Sequence, residues 1–205
     1  MITIIDYNAG NIGSIQNMIK KIGGESIVTS DPDLVRKATK LILPGVGHFD
    51  YGMGNLIETG LIPILNQRVL EDKIPILGIC LGAQLFTQRS EEGKTPGLGW
   101  FSAETVRFKP SSTSIKVPHM GWSGVELYNR KSKIFADMHE DPRFYFVHSY
   151  HMKTENNDEI LAFSEYGYRF VSALEKENIV GIQFHPEKSH KFGMKILENF
   201  INLYQ

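Results

Sequence analysis

The chain of 205 residues has a single cysteine, Cys80, so no internal disulfide can form. A reducing cytoplasm is the setting such a sequence suits. It also lacks a charge excess: 22 Lys and Arg face 23 Asp and Glu, a formal net charge of -1. With no long basic run either, nothing in the composition supports binding to nucleic acid or to an anionic membrane surface. No apolar stretch approaches the roughly 20 residues of a membrane helix. The opening Met1-Ile2-Thr3-Ile4-Ile5-Asp6 has no basic segment and reads as a strand rather than a signal peptide. Metal motifs are missing too: there is no H-E-x-x-H, and one cysteine cannot make C-x-x-C. His148 and His151 stand three apart in a strand-like segment, a spacing that would put them on opposite faces. Neither a metal nor a cofactor is expected. No repeat, low-complexity tract or linker interrupts the chain, and residues 1–205 are expected to form one domain.

What is present reads as alternating strands and helices in the first half. Ile2 to Ile5 is a short apolar run. After a turn with Asn8, Gly10 and Asn11, apolar residues recur at Ile12, Ile15, Ile19 and Ile22, which is helical spacing. Glu25 to Val28, Leu41 to Leu43 and Ile74 to Ile79 read as strands. Leu56 to Leu70 reads as a helix with Pro63 near a start or a kink, and Gly82 to Gln88 opens another. This alternation predicts right-handed crossovers and parallel strands. In the second half, strand-like runs at Phe101 to Phe108, Phe144 to Tyr150, Ile160 to Phe163, Phe170 to Leu174 and Ile179 to Phe184 are joined by short polar turns, which suits antiparallel pairing. A helix from about Ser189 to Leu203 closes the chain. The expectation is a three-layer α/β sandwich, flavodoxin-like, around a mixed, mostly parallel central sheet.

A lone cysteine is either a small buried apolar residue or a nucleophile, and its neighbours decide. Gly78-Ile79-Cys80-Leu81-Gly82 follows an apolar strand and precedes a helical segment: the G-x-nucleophile-x-G elbow with cysteine in the serine position. Such a turn lifts the sulfur off the sheet and sets it at a helix N-terminus, where the dipole favours thiolate. The N–H of Leu81 is then placed to donate into an oxyanion hole. A thiolate nucleophile needs a base, itself oriented by an acid. Gly181-Ile182-Gln183-Phe184-His185-Pro186-Glu187 supplies both. His185 ends an apolar strand, Pro186 stops it, and Glu187 stands two positions on. None of the other six histidines combines those features.

The elbow, the stretch Pro44-Gly45-Val46-Gly47, and Phe184-His185-Pro186-Glu187-Lys188-Ser189, in that family's order along the chain, resemble class I (triad) glutamine amidotransferases. Pro118-His119-Met120-Gly121-Trp122 and Tyr145-Phe146-Val147-His148-Ser149-Tyr150 narrow the likeness to the glutaminase subunits of imidazole glycerol phosphate synthase. The resemblance covers essentially the whole chain. It implies hydrolysis of glutamine to glutamate and ammonia, with the ammonia passed to a (β/α)8 cyclase subunit in histidine synthesis. It implies a Cys80 thioester, proton transfer by His185, orientation by Glu187, and an oxyanion hole bracketed by Val46 and Leu81. Gln84 and Glu92 would hold the amino-acid head of the substrate, aided by the backbone at Ser149 and Tyr150. Asn11, Trp122, Tyr145 and Lys188 would face the cyclase. Ordinary alternatives stand beside these roles: a core aromatic at Trp122, a solvated charge at Lys188, a loop carboxylate at Glu92, a helix cap at Asn11. Ala83 and Ser123 stand where the family usually has methionine and asparagine. Close paralogues with nearly the same motifs supply ammonia for amidination of surface-polysaccharide sugars. A cysteine protease and a non-catalytic relative are the readings from other classes. The glutamine-binding and partner-facing motifs argue against the first, and the intact triad against the second.

Overall fold

In the computed structural model, which describes residues 1–129 and 131–204, the first half winds back and forth through a sheet. Strand β1 (Ile2–Ile5) leads through helix α1 (Ile12–Lys21) to β2 (Ser26–Thr29) on one side of it. The chain returns through α2 (Pro32–Arg36) to β3 (Leu41–Leu43) on the other side, then through α3 (Phe49–Glu58) and α4 (Ile62–Asn66) to β4 (Ile76–Ile79) and α5 (Leu81–Leu85). Reversing direction across β1 with right-handed crossovers sends α1 to one face and the later helices to the other. The remaining strands are β5 (Ala103–Arg107), β6 (His119–Gly124), β7 (Glu126–Leu127), β8 (Arg143–His148), β9 (Tyr150–Thr154), β10 (Ile160–Glu165), β11 (Arg169–Lys176) and β12 (Ile179–Ile182), before α6 (His190–Leu203).

The main sheet runs β2-β1-β3-β4-β12-β11-β10-β7, parallel from β2 to β12 and antiparallel beyond, with β5 and β9 branching from β11. Strands β6 and β8 form a separate antiparallel ribbon. Alternation along each strand divides the core between two faces. Leu41, Leu43 and Ile76 join Phe49, Met53, Leu56, Leu65 and Leu85 under α3, α4 and α5. Ile42, Leu77, Ile79, Val180 and Ile182 join Ile15, Ile19, Ile196, Leu197 and Phe200 under α1 and α6. This is the expected three-layer sandwich with a mixed sheet.

Three local readings differ. The expected helix over 56–70 is several pieces: α3 starts earlier, at Phe49, and Gly60 breaks it with φ +67°, while Pro63 sits in the first turn of α4, where its missing N–H costs nothing. Helix α2 has a signal of its own, since the Asp31 side chain accepts from Asp33 N–H at 2.8 Å and Pro32 starts the turn. The expected strand over 144–150 is interrupted at Ser149, so β8 pairs with β6 and β9 with β5. His148 and His151 therefore do not part to opposite faces; their rings lie 5.1 and 4.6 Å from the Phe108 ring.

Candidate active site

Cys80 stands where β4 turns into α5, at the carboxyl ends of the parallel strands, where open α/β sheets place their sites. Its φ of 54° and ψ of -109° belong to a region a non-glycine residue occupies only under constraint, at about 1–3 kcal/mol. The constraint is visible. The Cys80 N–H donates to Ile182 O at 2.8 Å. A Cβ at Gly78 would lie 2.5 Å from the Phe86 ring, and one at Gly82 only 1.9 Å from Leu43 O. The elbow glycines thus serve by clearance, while the positive φ falls on the cysteine itself.

Strand β12 lies beside β4 in parallel, with Ile182 level with Ile79, so the residues after each strand meet. His185 is anchored by its N–H on Tyr145 O at 2.9 Å. The Ser189 hydroxyl donates to His185 O at 2.6 Å and accepts from Tyr145 N–H at 3.0 Å. Nδ1 of His185 lies 2.8 Å from Glu187 Oε1, and both side chains are 1% exposed. A carboxylate only accepts, so Nδ1 carries the hydrogen. Nε2 is buried without a hydrogen-bond partner among the described residues. Burial pulls the imidazole down, but the Cys80 sulfur and then Glu187 outweigh it and raise the group to about 10. A histidine that holds a proton beside a sulfur can deliver it to a leaving group.

A cavity of about 310 Å³ opens over the sulfur. Val46, Leu81, Gln84, Glu92, Ser149 and Tyr150 all line it, so the residues the resemblance assigned to the oxyanion hole and to the substrate share one wall with Cys80. Larger clefts lie elsewhere, one of them lined by Glu126, Arg143, Phe163 and Arg169 for example, but the one cysteine of the chain is not in them. Gln84 Nε2 donates to Tyr150 O at 2.9 Å and to Gln183 Oε1 at 3.1 Å, and Gln183 Nε2 reaches Cys80 Sγ at 3.7 Å. Glu92 Oε2 accepts from Phe49 N–H at 2.8 Å. Asp50 in turn accepts from Lys94 and Thr95 N–H, bonds that hold its carboxyl below the usual range. The 90–95 loop is thereby fixed to the start of α3.

Leu81 N–H is already engaged, donating to Gly45 O at 3.3 Å. That carbonyl belongs to the peptide whose N–H is Val46's. In a trans peptide the two point in opposite directions, so Val46 N–H is turned away from Leu81. Val46 keeps a negative φ, and Gly47 takes +107°.

Of the four residues assigned to a partner, Trp122 is 46% exposed and no core aromatic. It stacks on His190 at 5.5 Å and meets Tyr145 edge-on at 6.3 Å. Lys188 Nζ stands 5.5 Å over the Tyr145 ring. Asn11 makes no capping bond to α1, whose packing partner includes the 186–188 turn. Sequence reasoning missed Gln183, Asp50 and Ser189. Gln183 left a trace as a polar residue continuing an apolar strand, and Ser189 as the last residue of the Phe184-His185-Pro186-Glu187-Lys188-Ser189 stretch, without a role read for either.

A family model described as "Glutamine amidotransferase class-I" matches residues 3–203. The chain is 58% identical over 201 residues to "Imidazole glycerol phosphate synthase subunit HisH 2" of Methanococcus maripaludis, covering 98% of each. It is 46% identical over 203 residues to the protein of that name in Pseudomonas aeruginosa, covering 99% of this chain and 100% of the relative. Among solved structures, "Crystal structure of glutamine amidotransferase" superposes with a TM-score of 0.73 at 18% identity, covering 99% of this chain and 98% of the other. "Structure of PurLQS from Thermotoga maritima" does so with 0.74 at 15% identity, covering 98% and 97%; at such identities the likeness speaks to the fold alone. A family model over nearly the whole chain, and full-length relatives at these identities, establish that the chain belongs to the class-I glutamine amidotransferases.

Proposed function

We propose that this chain is the glutaminase subunit of an imidazole glycerol phosphate synthase and that Cys80, His185 and Glu187 carry its chemistry. It hydrolyses glutamine to glutamate and ammonia, and the ammonia serves histidine biosynthesis. The relatives' names make each of them a subunit, which supports a partner; that partner is the (β/α)8 cyclase, which makes imidazole glycerol phosphate and an aminoimidazole-carboxamide ribotide (AICAR). The exposed cluster of Trp122, Tyr145 and Lys188, with Asn11 nearby, is the surface assigned to it. No helix among the described residues is long and apolar enough to cross a membrane, and a free thiol at the site suits the reducing cytoplasm. The same names favour the histidine pathway over sugar amidination.

The observation that carries the mechanism is the strained Cys80 elbow set beside the buried His185–Glu187 pair in one cavity. The sulfur attacks the side-chain amide carbon of glutamine and the carbonyl π electrons move to oxygen. His185 gives its proton to the departing nitrogen, the C–N bond breaks, and ammonia leaves a thioester on Cys80. Water, deprotonated by His185, then attacks the thioester and releases glutamate. Leu81 N–H and Val46 N–H are the donors for the oxyanion. Glu92, with one oxygen on Phe49, has its second for the substrate ammonium. Gln84 and the Ser149–Tyr150 backbone complete the head-group pocket. In the complex with its cyclase, Cys80→Ser is expected to cost several powers of ten in glutamate release, while added ammonium restores cyclase product. Retention of more than about a tenth of the rate would refute the nucleophile; failure of ammonium to restore product would mean a further chemical role for this chain.

A further inference from the structure

From His148, which lines the cavity beside Ser149 and Tyr150, a run of polar side chains that the hydrolytic chemistry does not use leads back through the wall. His119 is 1% exposed and His148 6%, and they face each other across the β6–β8 ribbon. His148 Nδ1 lies 2.7 Å from Tyr150 O, and His148 Nε2 lies 3.2 Å from His119 Nδ1. His119 Nε2 lies 2.9 Å from the Ser123 hydroxyl. Burial lowers His148 well below its ordinary value and lowers His119 to about 4, so each ring carries one hydrogen.

The direction of every bond then follows from the inner end. A carbonyl only accepts, so the hydrogen of His148 is on Nδ1. Its Nε2 is bare and must accept, which puts the hydrogen of His119 on Nδ1 as well. His119 Nε2 is then bare, and Ser123 donates to it. The rings have little freedom to depart from this. His119 stacks on Tyr166 at 4.0 Å and on Phe146 at 4.8 Å, and Phe108 packs against both imidazoles. At the inner end, the Tyr150 carbonyl takes its second hydrogen from Gln84. At the outer end, Ser123 follows Trp122 on the strand that presents that residue to solvent.

We propose that His119 and His148 are positioning residues for glutamine binding: a one-way hydrogen-bond chain from Ser123 fixes the Tyr150 carbonyl and, through it, the Gln84 side of the substrate pocket. The proposal rests on the glutaminase reading above. His148 shares the cavity with Cys80, but the hydrogen bonds of the two imidazoles run to each other, to Ser123 and to Tyr150 O and not to the sulfur or to His185, so loss of the chain acts on binding rather than on the reaction steps.

The test is glutamine-dependent and ammonium-dependent turnover of the cyclase complex carrying His148→Phe or His148→Asn. Phenylalanine keeps the ring and loses both bonds, while the asparagine amide nitrogen takes the place of Nδ1. His148→Phe is expected to raise KM for glutamine about tenfold, the loss that follows one unmatched buried partner. It should change kcat by less than about threefold and leave ammonium-dependent turnover unchanged. His148→Asn is expected to recover most of the KM. The proposal is overturned if KM in His148→Phe stays within about twofold of wild type, if kcat falls in step with it, or if asparagine does no better than phenylalanine. Nitrogen NMR of the imidazoles in the wild-type complex needs no variant to fold. It is expected to show neutral Nδ1–H rings at both positions between about pH 6 and 8, and an Nε2–H tautomer at either overturns the proposal. A wild-type complex that turns over no glutamine would instead sink the glutaminase reading.

Discussion

Replacing Val46 with glycine should wake the isolated subunit. In this structure Gly45 O accepts from Leu81 N–H at 3.3 Å, so the Gly45–Val46 peptide turns its carbonyl toward the oxyanion hole and its N–H away. With one donor occupied and the other averted, a tetrahedral oxyanion is under-stabilised, and loss of one such donor costs on the order of a hundredfold to a thousandfold in rate. Turning the peptide over breaks the Gly45–Leu81 bond, about 0.5–1.5 kcal/mol net. If the turned state needs positive φ at Val46, the β-branched side chain adds about 1–3 kcal/mol. The sum, about 1.5–4.5 kcal/mol, holds the competent orientation to roughly one molecule in ten to one in two thousand. Gly45 has no room to help by substitution, since a Cβ there would lie 2.6 Å from Gly82 N. Val46 is 41% exposed and can lose its side chain freely. The expected result is a free wild-type chain that is nearly silent, a ligand-loaded cyclase complex that is active, and a free Val46→Gly chain raised about fivefold to a hundredfold. Glutamate release by each, at saturating glutamine, measures it. A free wild-type chain that matches the complex would remove the coupling altogether. A silent wild type with an equally silent Val46→Gly would leave coupling in place and refute the backbone explanation. The partner, for its part, can shift the peptide only by its differential affinity for the two orientations.

His185→Asn should be as severe as loss of Cys80, and Glu187→Gln milder, because an amide oxygen can still accept from Nδ1 where Glu187 Oε1 does at 2.8 Å; single-turnover kinetics with Glu187→Gln the worse of the two would reverse the roles. Stability should fall as pH drops from neutrality. His119, His148 and His151 are all lowered by burial, so below the ordinary 6.5 the unfolded chain binds protons that the folded one refuses, at most about 1.4 kcal/mol per pH unit for each fully buried ring. His185, raised to about 10, does not offset this below 6.5, where it is protonated in both states; its contribution is lost only as pH rises toward 10. The urea midpoint should therefore be lower at about pH 5 than at pH 7, and a flat profile would contradict the neutral burial of these rings.

The parts of this molecule legible in its sequence are those whose physics is local. The elbow declares itself because strand, tight glycine-flanked turn and helix are consecutive, and His185 with Glu187 because one proline fixes both. Strand alternation separated the parallel half from the antiparallel half for the same reason. What escaped was set by partners far along the chain. Asp50 holds Lys94 and Thr95, Ser189 ties Tyr145 to His185, and Gln183 lies between Gln84 and the sulfur. None of these pairings has a spacing that a pattern can carry. The break at Ser149 was invisible because Phe144 to Tyr150 has the composition of one continuous strand, and tertiary pairing with two different neighbours overrides that preference.

The two departures from the family's usual residues gain a physical reading from the same structure. Ala83 is fully buried, and its methyl would stand 3.3 Å from a Cβ placed at Gly181 on β12. It therefore fills the space between α5 and the sheet behind the nucleophile, and makes a packing contact with no polar partner to lose. Ser123 is shorter than asparagine, yet its hydroxyl still reaches His119 Nε2 at 2.9 Å, and it faces inward while Trp122 faces solvent. A hydroxyl both donates and accepts through a single rotor, so it can serve as the first donor of the histidine chain without the second polar arm an amide would have to satisfy. Neither change removes a group from the cavity over Cys80. The departures lie in how the wall is backed, and the residues that line the cavity are untouched by them.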